Sequence, residues 1–247
     1  MGLELAGLVR DGVFRGDGVT DGQGQPVLLI PGFMAGDGSL GVMARWLRGT
    51  GHHPSRAGIR SNVACSTKSI DRLEERLESL VERQGRRAAI VGHSRGGGFA
   101  KCLAVRRPDL VSGIATMGSP NKEPLGVHPL VRANVEAVAT LGRLGVPGFF
   151  SRECLDGDCC ADFWAQCAGP TPPGVGYVSI YSRSDGIVDW QACLDTGAEH
   201  IEVQASHCGM AVHAGTYRAV AAALAEFREA DIGRGALAPS APALRVA

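Results

Sequence analysis

The length, composition and charge of the chain limit what kind of protein it is. Its 247 residues suffice for one well-buried domain, and 45% hydrophobic and 20% charged residues are ordinary values for a globular protein. The 25 basic and 25 acidic residues cancel, so no basic field attracts a phosphate backbone and we expect no nucleic acid partner. No apolar run approaches the ~18 residues of a membrane span, and the first residues lack a secretory leader. We therefore expect a cytoplasmic protein without a transmembrane segment.

Short apolar runs alternate with helical patterns along the chain. This alternation predicts an α/β fold, with a mostly parallel sheet of about six strands and helices on both faces. The predicted strands cover residues 26–30, 56–60, 88–91, 110–117, 177–181 and 201–203. Apolar residues at helical spacing and alanine-rich periodicity predict helices at 70–81, 99–105, 131–141 and 212–227.

Two segments break this alternation. Residues 121–175 are too long for a connection, because most such loops have about 2–6 residues, and long insertions of this kind often act as lids. Residues 233–247 are rich in Ala and Pro and predict a disordered tail. We therefore expect one domain over residues 1–232, with a cap or lid insertion at about 121–175.

The most informative segment places a serine between a strand and a helix. An apolar run ends in Gly92-His93-Ser94-Arg95-Gly96, which has the G-x-S-x-G pattern of a nucleophile elbow. In such a turn the serine hydroxyl stands clear of the backbone, and the glycines allow strand and helix to pass closely. A dinucleotide-binding loop would need glycine at position 94, so that alternative fails. Ser94 is therefore the candidate nucleophile.

A serine nucleophile needs a base, and the base needs an acid that orients it. Asp185 lies just past the fifth predicted strand and is the candidate acid, with Asp189 as the alternative. His207 follows the sixth strand and is the candidate base, whereas His213 falls in a predicted helix. His93 is expected to point away from the serine.

An oxyanion requires backbone N–H donors. One is expected from Arg95, the residue after the serine, and one from the loop that ends the first strand. In that loop Phe33 is the preferred donor and Met34 the alternative.

The eight cysteines include four in one short stretch. Cys154, Cys159, Cys160 and Cys167 suggest zinc, but there is no C-x2-C pair, two of them are adjacent, and no histidine lies among them. A local disulfide or free buried thiols are the preferred interpretations, and we expect no metal. A disulfide between Cys193 and Cys208 is a further hypothesis, because their loops must converge if Asp185 and His207 meet.

These residues together resemble the α/β-hydrolase superfamily, and within it small bacterial lipase/esterase-like proteins. The motifs that carry the resemblance are Ile30-Pro31-Gly32-Phe33, Gly92-His93-Ser94-Arg95-Gly96-Gly97, Gly118-Ser119-Pro120, Tyr181-Ser182-Arg183-Ser184-Asp185-Gly186-Ile187-Val188 and Ser206-His207-Cys208-Gly209-Met210. The resemblance implies a metal-free acyl-enzyme mechanism, no cofactor, and a lid that follows the third motif. One departure is Pro31-Gly32, where many lipases have His-Gly.

The expected activity is hydrolysis of a carboxylic ester, from a small-molecule or lipid substrate, by Ser94, Asp185 and His207. Phe149, Phe150, Leu144 and Val146 either cover an acyl chain or form a small core of the insertion. A thioesterase, an acyltransferase or an amidase would use the same three residues. A non-catalytic binding protein on the same fold is the alternative from another class. The sequence does not predict the oligomeric state.

Overall fold

Six strands form one sheet in the part of the chain that this computed structural model describes, residues 1–123 and 126–235. The strands are Pro26–Ile30 (β1), His53–Arg56 (β2), Ala88–His93 (β3), Val111–Met117 (β4), Gly176–Tyr181 (β5) and Glu199–Glu202 (β6). They lie in the order β2-β1-β3-β4-β5-β6, and every neighbouring pair is parallel. The predicted α/β class with a six-stranded parallel sheet is confirmed, and all carboxyl ends meet at one edge of the sheet.

The two edge strands are where the sequence-based boundaries were wrong. The second strand was predicted at 56–60, but β2 covers His53–Arg56 and pairs with β1 from Pro26 and His53 onward. An edge strand faces solvent, so it needs no apolar run and tolerates a proline such as Pro54. The last strand likewise begins two residues before its predicted start at residue 201. Because β6 is polar and largely exposed, its first residues carry no apolar pattern that would mark the strand.

Helices cover both faces of the sheet, as alternation with parallel strands predicts. The described helices are Gly2–Arg10 (α1), Gly12–Arg15 (α2), Gly41–Gly49 (α3), Ser66–Gln84 (α4), Arg95–Arg106 (α5), Pro129–Arg143 (α6), Glu153–Asp156 (α7), Ala161–Ala168 (α8) and Ala214–Gly233 (α9). Helices α4 and α5 contribute to the core on one face, and α1, α3 and α9 contribute to the core on the other. Among the described residues, no helix combines the length and apolar character that crossing a bilayer requires.

One close contact joins α9 to the middle of the sheet. The ring of Phe227 lies over Gly113 of β4 and Gly176 of β5. A Cβ at Gly113 would stand 2.5 Å from Cδ2 of that ring, and a Cβ at Gly176 would collide with the same ring. The two glycines therefore form a slot that the phenylalanine fills.

The predicted insertion contains α6, α7 and α8 and packs on the same face as α4 and α5. Phe150, Cys154, Cys160 and Phe163 are buried in the core of that face. Helix α6 extends slightly beyond the predicted 131–141 at both ends. Residues 236–247, most of the predicted tail, lie outside the described residues, and α9 continues to Gly233.

Candidate active site

Ser94 occupies a sharp turn between β3 and α5. Its φ of 52° and ψ of −123° are strained for a residue with a side chain. Two glycines permit this turn: a Cβ on Gly92 would stand 2.5 Å from the carbonyl oxygen of Gly96, and a Cβ on Gly96 would collide with the carbonyl of Ile30. The backbone N–H of Ser94 donates to the carbonyl of Met117 at 2.8 Å. The geometry is that of the strand–turn–helix context expected from the sequence.

Two backbone N–H groups beside the serine are candidates to hold an oxyanion. Arg95 is the first residue of α5, so its N–H belongs to the first turn and has no partner within the helix. The loop after β1 packs against the serine, since a Cβ on Gly32 would lie 3.1 Å from Cβ of Ser94. In that loop the N–H of Met34 donates to the carbonyl of Asn62 at 3.3 Å. That bond favours Phe33 over Met34 as the second donor.

The structure brings Asp185 and His207 into contact. Nδ1–H of His207 donates to Oδ2 of Asp185 at 2.7 Å, and the side chains are only 7% and 1% exposed, respectively. The other carboxylate oxygen accepts the backbone N–H groups of Ile187 at 2.8 Å and Val188 at 2.9 Å. Asp185 is thereby fixed in orientation, with one oxygen left for the histidine.

Asp189, the alternative acid, has a different partner. Its Oδ1 accepts the N–H of Gln191 at 3.0 Å and caps the short 3-10 helix Trp190–Cys193. His213, the other histidine considered, is the N-cap residue of α9 and not part of the helix.

The serine and the Asp185–His207 pair converge at the end of β4. Gly118 follows that strand with a φ of 54°, and a Cβ there would stand 3.1 Å from both Oδ2 of Asp185 and Nδ1 of His207. The preceding residue, Met117, accepts the N–H of Ser94. Glycine at 118 thus leaves room for the pair beside the turn that carries the serine.

His93 has a role that sequence reasoning missed. Its Nε2–H donates to the carbonyl of His207 at 3.0 Å, and the two rings lie 4.8 Å apart. Burial, and to a smaller extent the neighbouring His207, lower the pKa of His93 to about 4, so His93 is neutral at pH 7. The available sequence signal was its place at the end of a buried strand, which brings it to the edge where the functional loops meet.

An apolar cavity of about 120 Å³ opens beside Ser94. Its wall is mostly apolar and includes Phe33, Val131, Val135, Phe150, Leu155, Phe163, Trp164 and Ile187. Most of these side chains come from the insertion. Of the residues expected either to cover an acyl chain or to form a core of the insertion, Phe150 lines the cavity and is also buried in the core, whereas Leu144 is 72% exposed.

The side chain of Arg95 connects this cavity to the segment before α4. Its guanidinium donates to the carbonyls of Asn62 at 2.9 Å and Ala64 at 2.8 Å. The same group lies 5.2 Å from the ring centroid of Phe99 and 5.3 Å from that of Phe150. Burial lowers the pKa of Arg95 to about 10, which leaves it cationic at neutral pH.

All eight cysteines are free thiols in the structure. Because Cys193 and Cys208 are both free, the structure gives no support to a disulfide between them. In the described part of the chain, one group of residues has metal-ligand character: the sulfurs of Cys65, Cys154, Cys159 and Cys160 lie together. Cys167 is separate from this group and donates to the carbonyl of Gly98.

Solved structures of known proteins resemble this architecture, although the sequence itself matches no family model and no curated protein. A lipase of Bacillus licheniformis in its mature form is similar in structure, with a TM-score of 0.61 and 14% identity over 83% of this chain and 94% of that one. A soluble variant of monoglyceride lipase from Saccharomyces cerevisiae has a TM-score of 0.61 and 17% identity over 85% of this chain and 89% of that one.

A monoacylglycerol lipase of Paleococcus ferrophilus is similar as well, with a TM-score of 0.56 and 16% identity over 83% and 96% of the two chains. At such identities the likeness concerns the fold. The chain has the α/β-hydrolase fold, as its motifs predicted.

Proposed function

We propose that this chain, which has the α/β-hydrolase fold, is a carboxylic ester hydrolase with Ser94 as nucleophile, His207 as base and Asp185 as the orienting acid. The main support is the 2.7 Å contact between His207 and Asp185, next to a serine held at positive φ. Strain of this kind concentrates at functional sites, and a neutral serine has little reactivity without such a base.

In the proposed cycle His207 removes the hydroxyl proton as Oγ of Ser94 attacks the ester carbonyl. The N–H groups of Phe33 and Arg95 stabilise the oxyanion of the tetrahedral intermediate. The protonated His207 then gives its proton to the departing alcohol, which leaves an acyl-enzyme. Water attacks that ester with His207 again as base, and the acid is released. Asp185 holds Nδ1–H throughout and stabilises the imidazolium.

The apolar cavity favours a substrate whose acyl group is apolar and lies next to Ser94. Its walls are aromatic and aliphatic, and burying each methylene of a chain there is worth about 0.8 kcal/mol. Two of the similar proteins are monoglyceride or monoacylglycerol lipases, which is compatible with a lipid ester. The insertion supplies much of the wall, so we propose that it covers the acyl chain as a cap.

The test is hydrolysis of p-nitrophenyl esters from acetate to palmitate. Ser94→Ala should abolish turnover, and Asp185→Asn should lower kcat by about 10³- to 10⁴-fold, since the histidine tautomer is no longer held. Asp189→Asn is the matched control and should retain most of the activity. Equal losses in Asp185→Asn and Asp189→Asn would contradict the assignment of the acid.

The same residues would serve a thioesterase, an acyltransferase or an amidase. Transfer to an added alcohol in preference to water would identify an acyltransferase. A wild-type protein that cleaves no ester, thioester or amide, and whose Ser94 is not labelled by a fluorophosphonate, would favour a non-catalytic binding protein.

A further inference from the structure

The four cysteines described above have sulfurs close enough together to bind one metal ion. All four sulfurs lie within 4.8 Å of one another. The sulfur of Cys65 is 3.6 Å from that of Cys159 and 3.7 Å from that of Cys160, and the sulfurs of Cys154 and Cys159 are 3.7 Å apart. Four thiolates around Zn²⁺ at about 2.3 Å would stand about 3.8 Å from one another.

Three of the six sulfur separations are nearly equal, which matches one shared metal ion better than two disulfides. Cys65 is as close to Cys159 as Cys159 is to Cys154, so the distances single out no pair. The sequence-based objections were the lack of a C-x2-C pair, the adjacency of Cys159 and Cys160, and the absence of a histidine. The structure answers the first objection, because Cys65, from outside the stretch, replaces Cys167 in the group. It also brings the sulfurs of the adjacent Cys159 and Cys160 into the same group.

The surroundings of the four sulfurs suit a negatively charged centre. Cys65 is the N-cap residue of α4, where the helix dipole favours negative charge. The hydroxyl of Thr67 lies 3.5 Å from the sulfur of Cys160 and donates to the carbonyl of Cys159 at 2.8 Å. Four thiolates and one Zn²⁺ carry two net negative charges. The guanidinium of Arg95, which bonds to the carbonyl of Ala64 beside Cys65, supplies a nearby positive charge.

We propose that Cys65, Cys154, Cys159 and Cys160 bind one Zn²⁺ ion as a structural site. Binding replaces the thiol protons, so up to four protons pass to solvent and no electron transfer occurs. All four positions around the metal are filled by protein, which leaves no place for a substrate or an activated water. The ion is therefore separate from the proposed ester chemistry.

The structural consequence lies in what the site joins. Three ligands belong to the insertion, and the fourth belongs to the segment that leads into α4. A backbone bond of 2.8 Å from the N–H of Phe150 to the carbonyl of Val63 runs between the same two segments. The metal would fasten the wall of the cavity to the segment that holds the side chain of Arg95.

The experiment measures zinc in the intact protein, purified under reducing conditions. Mass spectrometric metal analysis should find about one Zn²⁺ per chain. Cys159→Ser should bind zinc at least about tenfold more weakly, while Cys208→Ser, the other exposed cysteine, should retain it. After chelation, Co²⁺ added to the wild type should give the intense thiolate charge-transfer and four-coordinate visible bands of a tetrahedral sulfur site.

The cobalt spectrum needs no variant, so it decides the question even if Cys159→Ser fails to fold. The proposal is overturned if the reduced wild type binds neither Zn²⁺ nor Co²⁺, or if it carries iron in place of zinc. It is also overturned if Cys159→Ser and Cys208→Ser bind zinc equally. Ester hydrolysis is measured separately, so an inactive protein that binds zinc would count against the proposed function alone.

Discussion

Replacing Gly96 by alanine tests the close approach on which the serine turn depends. A Cβ at this position would stand 2.8 Å from the carbonyl carbon of Ile30 and from the carbonyl oxygen of Pro31, and nearer still to the Ile30 oxygen. All three are backbone atoms. Ile30 is also paired with Gly92 across the sheet, so it cannot rotate away as a side chain would.

Gly98, two residues further along α5, is a matched control for the same substitution. Its nearest neighbours are 3.9 Å from the added Cβ, which is ordinary van der Waals contact. Alanine is favoured over glycine in helices by up to about 1 kcal/mol, so Gly98→Ala should be neutral or stabilising. Gly96→Ala shares that propensity gain, so the two variants should differ in unfolding free energy by the cost of overpacking alone, about 1–3 kcal/mol or more.

Urea unfolding of both variants under the same conditions measures that difference. Ester turnover gives a second readout, because pushing Ile30 and Pro31 away displaces the loop that carries Phe33. We expect kcat of Gly96→Ala to fall by about 10²-fold, the effect of losing one oxyanion donor. A Gly96→Ala protein that matches Gly98→Ala in urea midpoint and turnover would refute the reasoning.

Two further predictions concern buried charge. Burial lowers the pKa of His93 from its ordinary 6.5 to about 4. Between pH 4 and pH 6.5, His93 is therefore protonated in the unfolded chain and neutral in the folded protein. The free energy of unfolding should therefore fall as the pH drops below 6.5, by about 2 kcal/mol at pH 5. Urea titrations should show that His93→Gln loses this pH dependence, whereas His53→Gln, a change at an exposed histidine, keeps it. Lys101 and Asp195 form a buried ion pair, so Lys101→Met should cost about 3–5 kcal/mol in chemical denaturation. Lys101→Met combined with Asp195→Leu should cost clearly less, and a double variant as unstable as the single one would argue against an unpaired carboxylate as the cause.

The fold was predictable from the sequence where burial leaves a pattern. Strands β1, β3 and β4 are buried along their whole length, and each contains enough apolar residues to be recognised, although only β1 is a continuous apolar run. The edge strands β2 and β6 face solvent and lack such a run, so their boundaries were misplaced. Helices α1 and α2 were not predicted, since the short segments before β1 contain many glycines and little regular spacing.

The order of the loops along the chain predicted which residues would form the candidate site. Contacts between residues that are distant in sequence could not be predicted in this way. Parallel strands carry their functional loops to one edge, so residues after successive strands had to meet, and the structure places Asp185 against His207. Their action with Ser94 stays a prediction. No local pattern shows that His93 bonds to the carbonyl of His207, or that Cys65 joins three cysteines of the insertion. Such contacts depend on how distant segments pack.

The slot that Phe227 fills has a consequence for the order of assembly. Gly113 and Gly176 leave the ribosome well before the helix that carries the phenylalanine, so the middle of the sheet stays unfilled during much of synthesis. Until α9 docks, the two glycines and the apolar surface around them on that face of the sheet stay uncovered. Docking of α9 is therefore expected to be a late step in folding, the one that closes this face of the sheet.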